Sequence, residues 1–360
     1  MSETSTAAVL RTVEGDVPAD SVGITLAHEH VQCDSSVWLN AASASRYPEL
    51  SRARPALENL WWMRQFPNSN ADILRLDDPD LAVQELAVLA EAGGGALIDV
   101  TPIGLGRDVA ALRTIAERSR VRIVSGTGFY VAGAHPEWMK RSSEAELAEL
   151  MTREIVHGVG DTGIRCGVIG ELGVSEPLHD RERRVLRAAA RVQRATGAAI
   201  SIHTAAHAID VDSALTAADI LQDAGADLSR VVMGHLDTSL HRPEYHEAVA
   251  ARGCMVEYDL FGHEFFESEN GFQSFGDTET CRAVARMVTA GLIDHLLLSH
   301  DICYKIQLQA YGGYGYAHLL RNIVPRLELL GIGAEQLRRI LVENPRRIFA
   351  MSGERADAEA

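Results

Sequence analysis

An alternation constrains this chain more than any other feature. Eight short apolar runs rich in β-branched residues are separated by stretches with apolar residues at helical spacing. The runs cover 21–30, 96–101, 122–129, 166–173, 198–204, 230–237, 254–260 and 295–301. Helical patterns occupy 81–93, 108–120, 143–158, 181–197, 211–225, 243–253 and 278–291, and a further one at 335–351 closes the chain. Most of them end in Gly, as helix C-termini often do. Eight strands each followed by a helix predict a (β/α)8 barrel, an α/β fold of the TIM type. The competing open, doubly wound sheet usually carries a Gly-rich phosphate turn after its first strand. Here that strand ends in His28-Glu29-His30 instead. The stretch 31–80, with Trp38, Trp61 and Trp62, reads as an irregular N-terminal segment, a long loop over the barrel mouth. Residues 1–352 are expected to form a single domain, and the polar tail 353–360 is expected to be disordered.

Composition narrows the class. A length of 360 residues suits one barrel, and 46% hydrophobic with 23% charged residues supports a large core. A net charge of −16 argues against nucleic acid and anionic membranes as partners, since both require a positive surface. No apolar run approaches the roughly 18–20 residues that span a bilayer. The first residues lack a basic and then apolar leader pattern. The five cysteines (Cys33, Cys166, Cys254, Cys281, Cys303) form no CxxC and read as reduced thiols, so the expected location is cytoplasmic.

Barrel active sites lie at the C-terminal ends of the strands. Reading those ends gives His28 and His30, Asp99, Gly126, Glu171, His203, His235, Tyr258 and Asp301. His28 and His30 are spaced i, i+2, which places both imidazoles on one face of a strand. Each remaining histidine alone reads as a hydrogen-bonded structural residue. Asp301 and Glu171 follow apolar strands, where an unpaired carboxylate is costly and needs a cation or several donors. Four histidines and two carboxylates converging on one mouth exceed the four ligands usual for one zinc ion. They suit two ions bridged by a carboxylate, which in such sites lie about 3.5–4 Å apart.

At this point the pattern resembles the phosphotriesterase family of the amidohydrolase superfamily, and its phosphotriesterase-related branch in particular. The resemblance rests on GITLAHEHV, CGVIGELGVSEPL, VVMGHLD, VEYDLFG, LLLSHDICYK, YGGYGYAHLLRNIVPRL and LVENPRRI, which together run over nearly the whole chain. It implies that His28, His30 and Asp301 hold one metal, that His203 and His235 hold the other, and that Glu171 bridges them. The cofactors implied are two divalent ions, zinc first and manganese or cobalt next, with no organic cofactor. Organophosphate-degrading members use a carbamylated lysine as the bridge. This sequence has two lysines, Lys140 and Lys305, and neither falls on the fourth strand, so Glu171 takes that place.

The reaction expected is attack by a bridging hydroxide on a carboxyl-derived bond, a small N-acyl amide or a lactone, with Asp301 as the catalytic proton acceptor. Promiscuous phosphotriesterase activity is compatible with the same site. The alternatives are a phosphotriesterase proper, a non-catalytic ligand-binding protein on the same barrel, and a mononuclear deaminase-like enzyme. Tyr130, Tyr258, His263 and Lys305 are candidate substrate contacts, with a loop at 261–272 as a candidate lid. Glu29, between the two histidines, is expected to point away from them in a structural role. The partner expected is a small-molecule substrate, and the family resemblance implies a homodimer. Trp61 and Trp62 read as an exposed pair at such an interface or over the pocket.

Overall fold

The computed structural model describes residues 8–206, 208, 210–264, 266–267 and 272–352. The tail 353–360 and the centre of the candidate lid lie outside the described residues. All eight expected strands form: β1 (Ile24–Glu29), β2 (Gly94–Asp99), β3 (Arg122–Thr127), β4 (Val168–Gly173), β5 (Ala199–His203), β6 (Val231–Met233), β7 (Met255–Tyr258) and β8 (Leu296–Leu298). They pair in sequence order as a parallel sheet of eight. The first and last strands meet through polar contacts rather than a ladder. The Asp301 amide donates to the His28 carbonyl (3.2 Å), and the His28 amide donates to Ser299 Oγ (3.0 Å).

The helices follow the predicted stretches: α1 (Pro79–Glu91), α2 (Val109–Ser119), α3 (Glu144–Val156), α4 (Asp180–Thr196), α5 (Ser213–Asp223), α6 (Pro243–Ala251) and α7 (Asp277–Thr289). Local chemistry sets their starts. Asp108 accepts from the amides of Ala110 and Ala111, and Ser143 and Glu146 form a reciprocal capping box. The eighth β/α unit is completed by a helical run ending in α8 (Val324–Leu329), and further short helices close the chain.

Two apolar layers result from the strand alternation. Leu97, Ile123, Ile169, Ile200, Val256 and Leu296 pack outward against the helices. Ala27, Ile98, Val124, Val168, Val232, Met255 and Leu297 fill the interior together with Leu10 and Phe349. Leu10 belongs to a hairpin formed by Ala8–Thr12 and Gly15–Pro18, which the sequence patterning did not reveal.

The segment after β1 is more ordered than a long loop. It holds two short helices, Ala41–Arg46 and Leu60–Gln65, and the pair Cys33–Asp34 with Arg75–Leu76. Leu60, Trp62, Met63, Ile73 and Leu74 form their own small core with Tyr304 and Ile306 from the loop after β8. The reading of Trp61 and Trp62 as an exposed pair is corrected here. Trp61 is 63% exposed, but Trp62 is fully buried, because adjacent residues on a helix face different sides.

Candidate metal centre at the barrel mouth

His28, His30, Glu171, His203, His235 and Asp301 come together at the C-terminal ends of β1, β4, β5, β6 and β8, and every one of them is buried. Glu171 lies at the middle. One of its oxygens, Oε1, is 3.3 Å from His30 Nε2. The other, Oε2, lies 3.4 Å from His28 Nε2, 3.1 Å from His203 Nδ1 and 3.5 Å from His235 Nε2. Asp301 Oδ1 is 3.2 Å from His30 Nε2 and 3.9 Å from His28 Nε2. Three overlapping triads of donor atoms follow: His28 with His235 and Asp301, His28 with His30 and Glu171, and Glu171 with His203 and His235.

Backbone irregularities aim several of these groups. Val168 packs in the interior layer, so strict alternation would turn Glu171, three residues on, to the opposite face. The pairing of β4 with β5 shifts register between Ile169 and Leu172, and Glu171 regains the interior. Gly170 there has φ +130°, and a Cβ on it would lie 2.3 Å from the Ser201 carbonyl oxygen, so no other residue fits. His235 and Asp301 adopt left-handed backbone at φ +59° and +49°, uncommon for non-glycine residues and frequent at functional sites.

The outward ring nitrogens are already engaged. His28 Nδ1 meets Glu257 Oε2 at 3.0 Å and Asp259 Oδ2 at 3.2 Å, and His235 Nδ1 meets Asp259 Oδ1 at 3.0 Å. His30 Nδ1 lies 2.8 Å from Thr101 Oγ1. Each contact turns Nε2 toward the centre, the arrangement that orients histidine ligands in metal sites. Glu257 and Asp259 were not singled out from the sequence. Their signal was present: on β7, two acids flank Tyr258 at i, i+2, the spacing that places both on one face.

Electrostatics make this a site short of positive charge. Burial opposes charge on His28, yet Asp259, Glu171 and Glu257 hold its pKa well above the ordinary value. Burial is likewise outweighed at His30 by Asp301 and Glu171, and at His235 by Asp259 and Glu171. Burial would raise Glu171 and Asp301, but the surrounding imidazoles hold both below the usual carboxylate range. At Glu257 burial prevails and pushes the carboxyl up to about 7. His203 is lowered by burial and by neighbouring His235.

The residues fit a metal cluster. His28 Nε2 and Asp301 Oδ1 are buried without a hydrogen-bond partner, and such orphans are expensive unless a cation satisfies them. His235 Nε2 faces His203 Nδ1 at 2.7 Å, two imidazole nitrogens that converge on one point. Zinc–nitrogen distances of about 2.0–2.1 Å place tetrahedral donors roughly 3.3 Å apart. Most donor separations around Glu171 lie near that spacing.

The remaining candidates divide. Tyr130 Oη lies 3.2 Å from His203 Nδ1 and accepts from Trp38 Nε1 at 3.2 Å, so it borders the site. His263 borders it too, with Nε2 3.2 Å from the Asp301 carbonyl oxygen. The placement of Tyr258 at the substrate is corrected. Its hydroxyl meets His246 Nδ1 at 2.7 Å on the helix side, because the interior positions of β7 belong to Glu257 and Asp259. Lys305 is also corrected. Its ammonium pairs with Asp72 and Asp77, both at 3.1 Å, and serves the segment after β1. Glu29 does turn away from its neighbours: it accepts from Ser299 Oγ and from the amides of His300 and Ile302, pinning the chain around Asp301. Asp99 accepts from the amides of Val31 and Thr101. The cavity over the cluster measures about 60 Å³ and is walled by Trp38, Leu105, Tyr130, Leu260 and Tyr304.

A parallel barrel that gathers imidazoles and carboxylates at the ends of its strands in this way is a metal-dependent hydrolase. Comparison with known proteins agrees. The profile of the Phosphotriesterase family matches residues 8–349. The human protein named N-acetyltaurine hydrolase is 37% identical over 345 residues, covering 94% of this chain and 97% of its own. A crystal structure of a resiniferatoxin-binding protein from Rhodobacter sphaeroides superposes with a TM-score of 0.92 at 36% identity, covering 95% of this chain and 94% of that one. The phosphotriesterase homology protein from Escherichia coli, solved with phosphate in its active site, gives a TM-score of 0.74 at 28% identity, covering 91% and 99%. The chain belongs to the phosphotriesterase family. That family is binuclear and metal-dependent, and the cluster at this barrel mouth is compatible with such a centre.

Proposed function

We propose that this chain hydrolyses a small N-acyl amide, with a lactone as the next substrate class. The observation that carries the reading is the pair of buried orphan atoms, His28 Nε2 and Asp301 Oδ1, inside a ring of six donors. His28, His30 and Asp301 would hold one divalent ion, His203 and His235 the other, and Glu171 would bridge them. Zinc is the first choice, with manganese or cobalt next. Bound ions would lower the pKa of water at the site and polarise the acyl oxygen. Asp301 is held ionised by the imidazoles around it, so its Oδ1 is the acceptor for the proton that the attacking water releases. Tyr130, beside His203, would donate a hydrogen bond from its hydroxyl to the substrate acyl oxygen. Trp38 and Tyr304 wall the cavity and exclude solvent. The amide preference is supported by the relatives named N-acetyltaurine hydrolase, which cover almost this whole chain. N-acetyltaurine is therefore the first compound to test.

A ligand-binding role without turnover is favoured by the name of one structural neighbour, the resiniferatoxin-binding protein. Against it stands the full set of six donors, which a binding protein does not need. A cytoplasmic homodimer with exposed Trp61 at the interface completes the proposal. The test is metal content per chain by elemental analysis, with turnover of N-acyl amides and lactones followed on the same sample. Two ions per chain, with activity lost on chelation and restored by zinc, is the expected result. One ion would favour a mononuclear enzyme. A loaded chain inert on the whole panel would favour the binding role.

A further inference from the structure

The barrel mouth holds a second cavity beside the one over the metal ligands. A space of about 340 Å³ lies between the loops after β7 and β8. The chain from His300 to Cys303 divides the two spaces. His300 and Ile302 line the larger cavity, whereas Asp301 and Cys303 line the smaller one. Gln307 completes the wall. It lines the larger cavity and is hydrogen-bonded to His263, which lines the smaller. Its Nε2 donates to the Asp301 carbonyl oxygen at 3.2 Å, and its Oε1 accepts from the amides of Cys303 (2.9 Å) and Tyr304 (2.7 Å).

The lining has a definite chemistry. Arg64, from the segment after β1, donates to the Gly312 carbonyl at 2.6 Å and forms no ion pair among the described residues. Tyr314 is stacked on His318, with ring centroids 4.1 Å apart and planes within 14°. Tyr314 is half exposed over the buried His318, and the buried side chains of Phe261, Ile302 and Ile306 supply apolar surface. One unpaired guanidinium, an aromatic platform and an apolar wall fit a small organic anion with a flat apolar body. Glu264, also in the lining, disfavours ligands of higher negative charge.

We propose that this cavity is a second small-molecule site, for a monoanionic carboxylate or sulfonate with an apolar body, and that its occupancy is transmitted to Asp301 through Gln307. Binding does not depend on the hydrolase reading. The transmitted effect does. A ligand that pulls on Gln307 moves a side-chain amide that holds both the Asp301 carbonyl and the amides of Cys303 and Tyr304. Asp301 already sits in strained left-handed backbone, where a small displacement re-aims its carboxylate.

The probe is 4-bromobenzoate, soaked into crystals of the metal-loaded full chain and titrated in solution by calorimetry. Anomalous scattering should place bromine beside Tyr314. Arg64→Gln should weaken that binding event about tenfold, and Tyr314→Ala should weaken it too. Bromine only at the metal ligands, no bromine at all, or affinity indifferent to both variants would overturn the site. Saturating probe should change kcat for an uncharged substrate at least twofold, with the response lost in Arg64→Gln. Binding beside Tyr314 without any change in kcat would overturn the coupling while leaving the site. An enzyme without turnover would remove the hydrolase reading, and the bromine position and the two affinities would still decide the site.

Discussion

The two halves of the barrel interior are made by the same eight strands and are chemically opposite. Toward the strand N-termini the interior is filled by Ile98, Val124, Val168, Val232, Met255 and Leu297, all fully buried and apolar. At the C-terminal ends of β1, β4, β5 and β7 stand His28, Glu171, His203, Glu257 and Asp259, equally buried and ionisable. The lower half stabilises the fold, since each large apolar side chain removed from water contributes roughly 1.5–3 kcal/mol. The upper half opposes folding through desolvation and is kept by mutual neutralisation of imidazoles and carboxylates. Neither half makes sense without the other: a rigid apolar floor holds a costly polar roof in register.

The comparison is broken most severely by exchanging chemistries. Val232→Asp places an unpaired charge in the apolar floor, and insoluble or unfolded protein is expected, read by circular dichroism and gel filtration. An equally folded, equally stable Val232→Asp would mean that the floor tolerates charge and that the contrast is false. Asp301→Asn, in the roof, should leave the fold intact and lower kcat about 10³-fold with metal content unchanged, in line with loss of a proton acceptor. Full activity at full metal occupancy would remove Asp301 from the chemistry. Leu297→Ala, in the floor beneath Asp301, should cost about 2–5 kcal/mol in denaturant unfolding while metal stoichiometry is retained.

A finer distinction lies within the roof. Asp259→Asn should weaken metal affinity about 10–100-fold in chelator competition, because Asp259 orients both His28 and His235. Unaltered affinity would show that the outer carboxylates only neutralise charge. The smallest effect is expected just outside the barrel. Tyr258→Phe removes the hydroxyl contact with His246 and should cost about 1 kcal/mol of stability, with kcat/KM unchanged. A tenfold loss of turnover in that variant would return Tyr258 to the substrate side.

Much of this was legible in the sequence, for a physical reason. The fold is written in local periodicity. Apolar runs alternate with helical stretches along the chain, and seven of the eight observed strands lie within their predicted runs; β2 begins two residues before its run, at Gly94. The six central donors were legible because barrel chemistry sits at strand ends, so position along the chain translates into position in space. The short helices and hidden core of the segment after β1 were not legible, because Trp62 and Ile73 are buried against Tyr304 and Ile306 more than 200 residues away.

Sequence by itself thus determined the barrel, the six donor residues that meet at its mouth and the outward turn of Glu29. Tertiary structure decided what depends on phase and distance. The register shift beside Gly170 brings Glu171 inward against simple alternation, and strict alternation on β7 sends Tyr258 outward and brings Glu257 and Asp259 in. Lys305 found its acids on a distant segment. Periodicity specifies which residues share a face of one element, but which face meets the site is set by packing among elements, and that is a property of the whole fold.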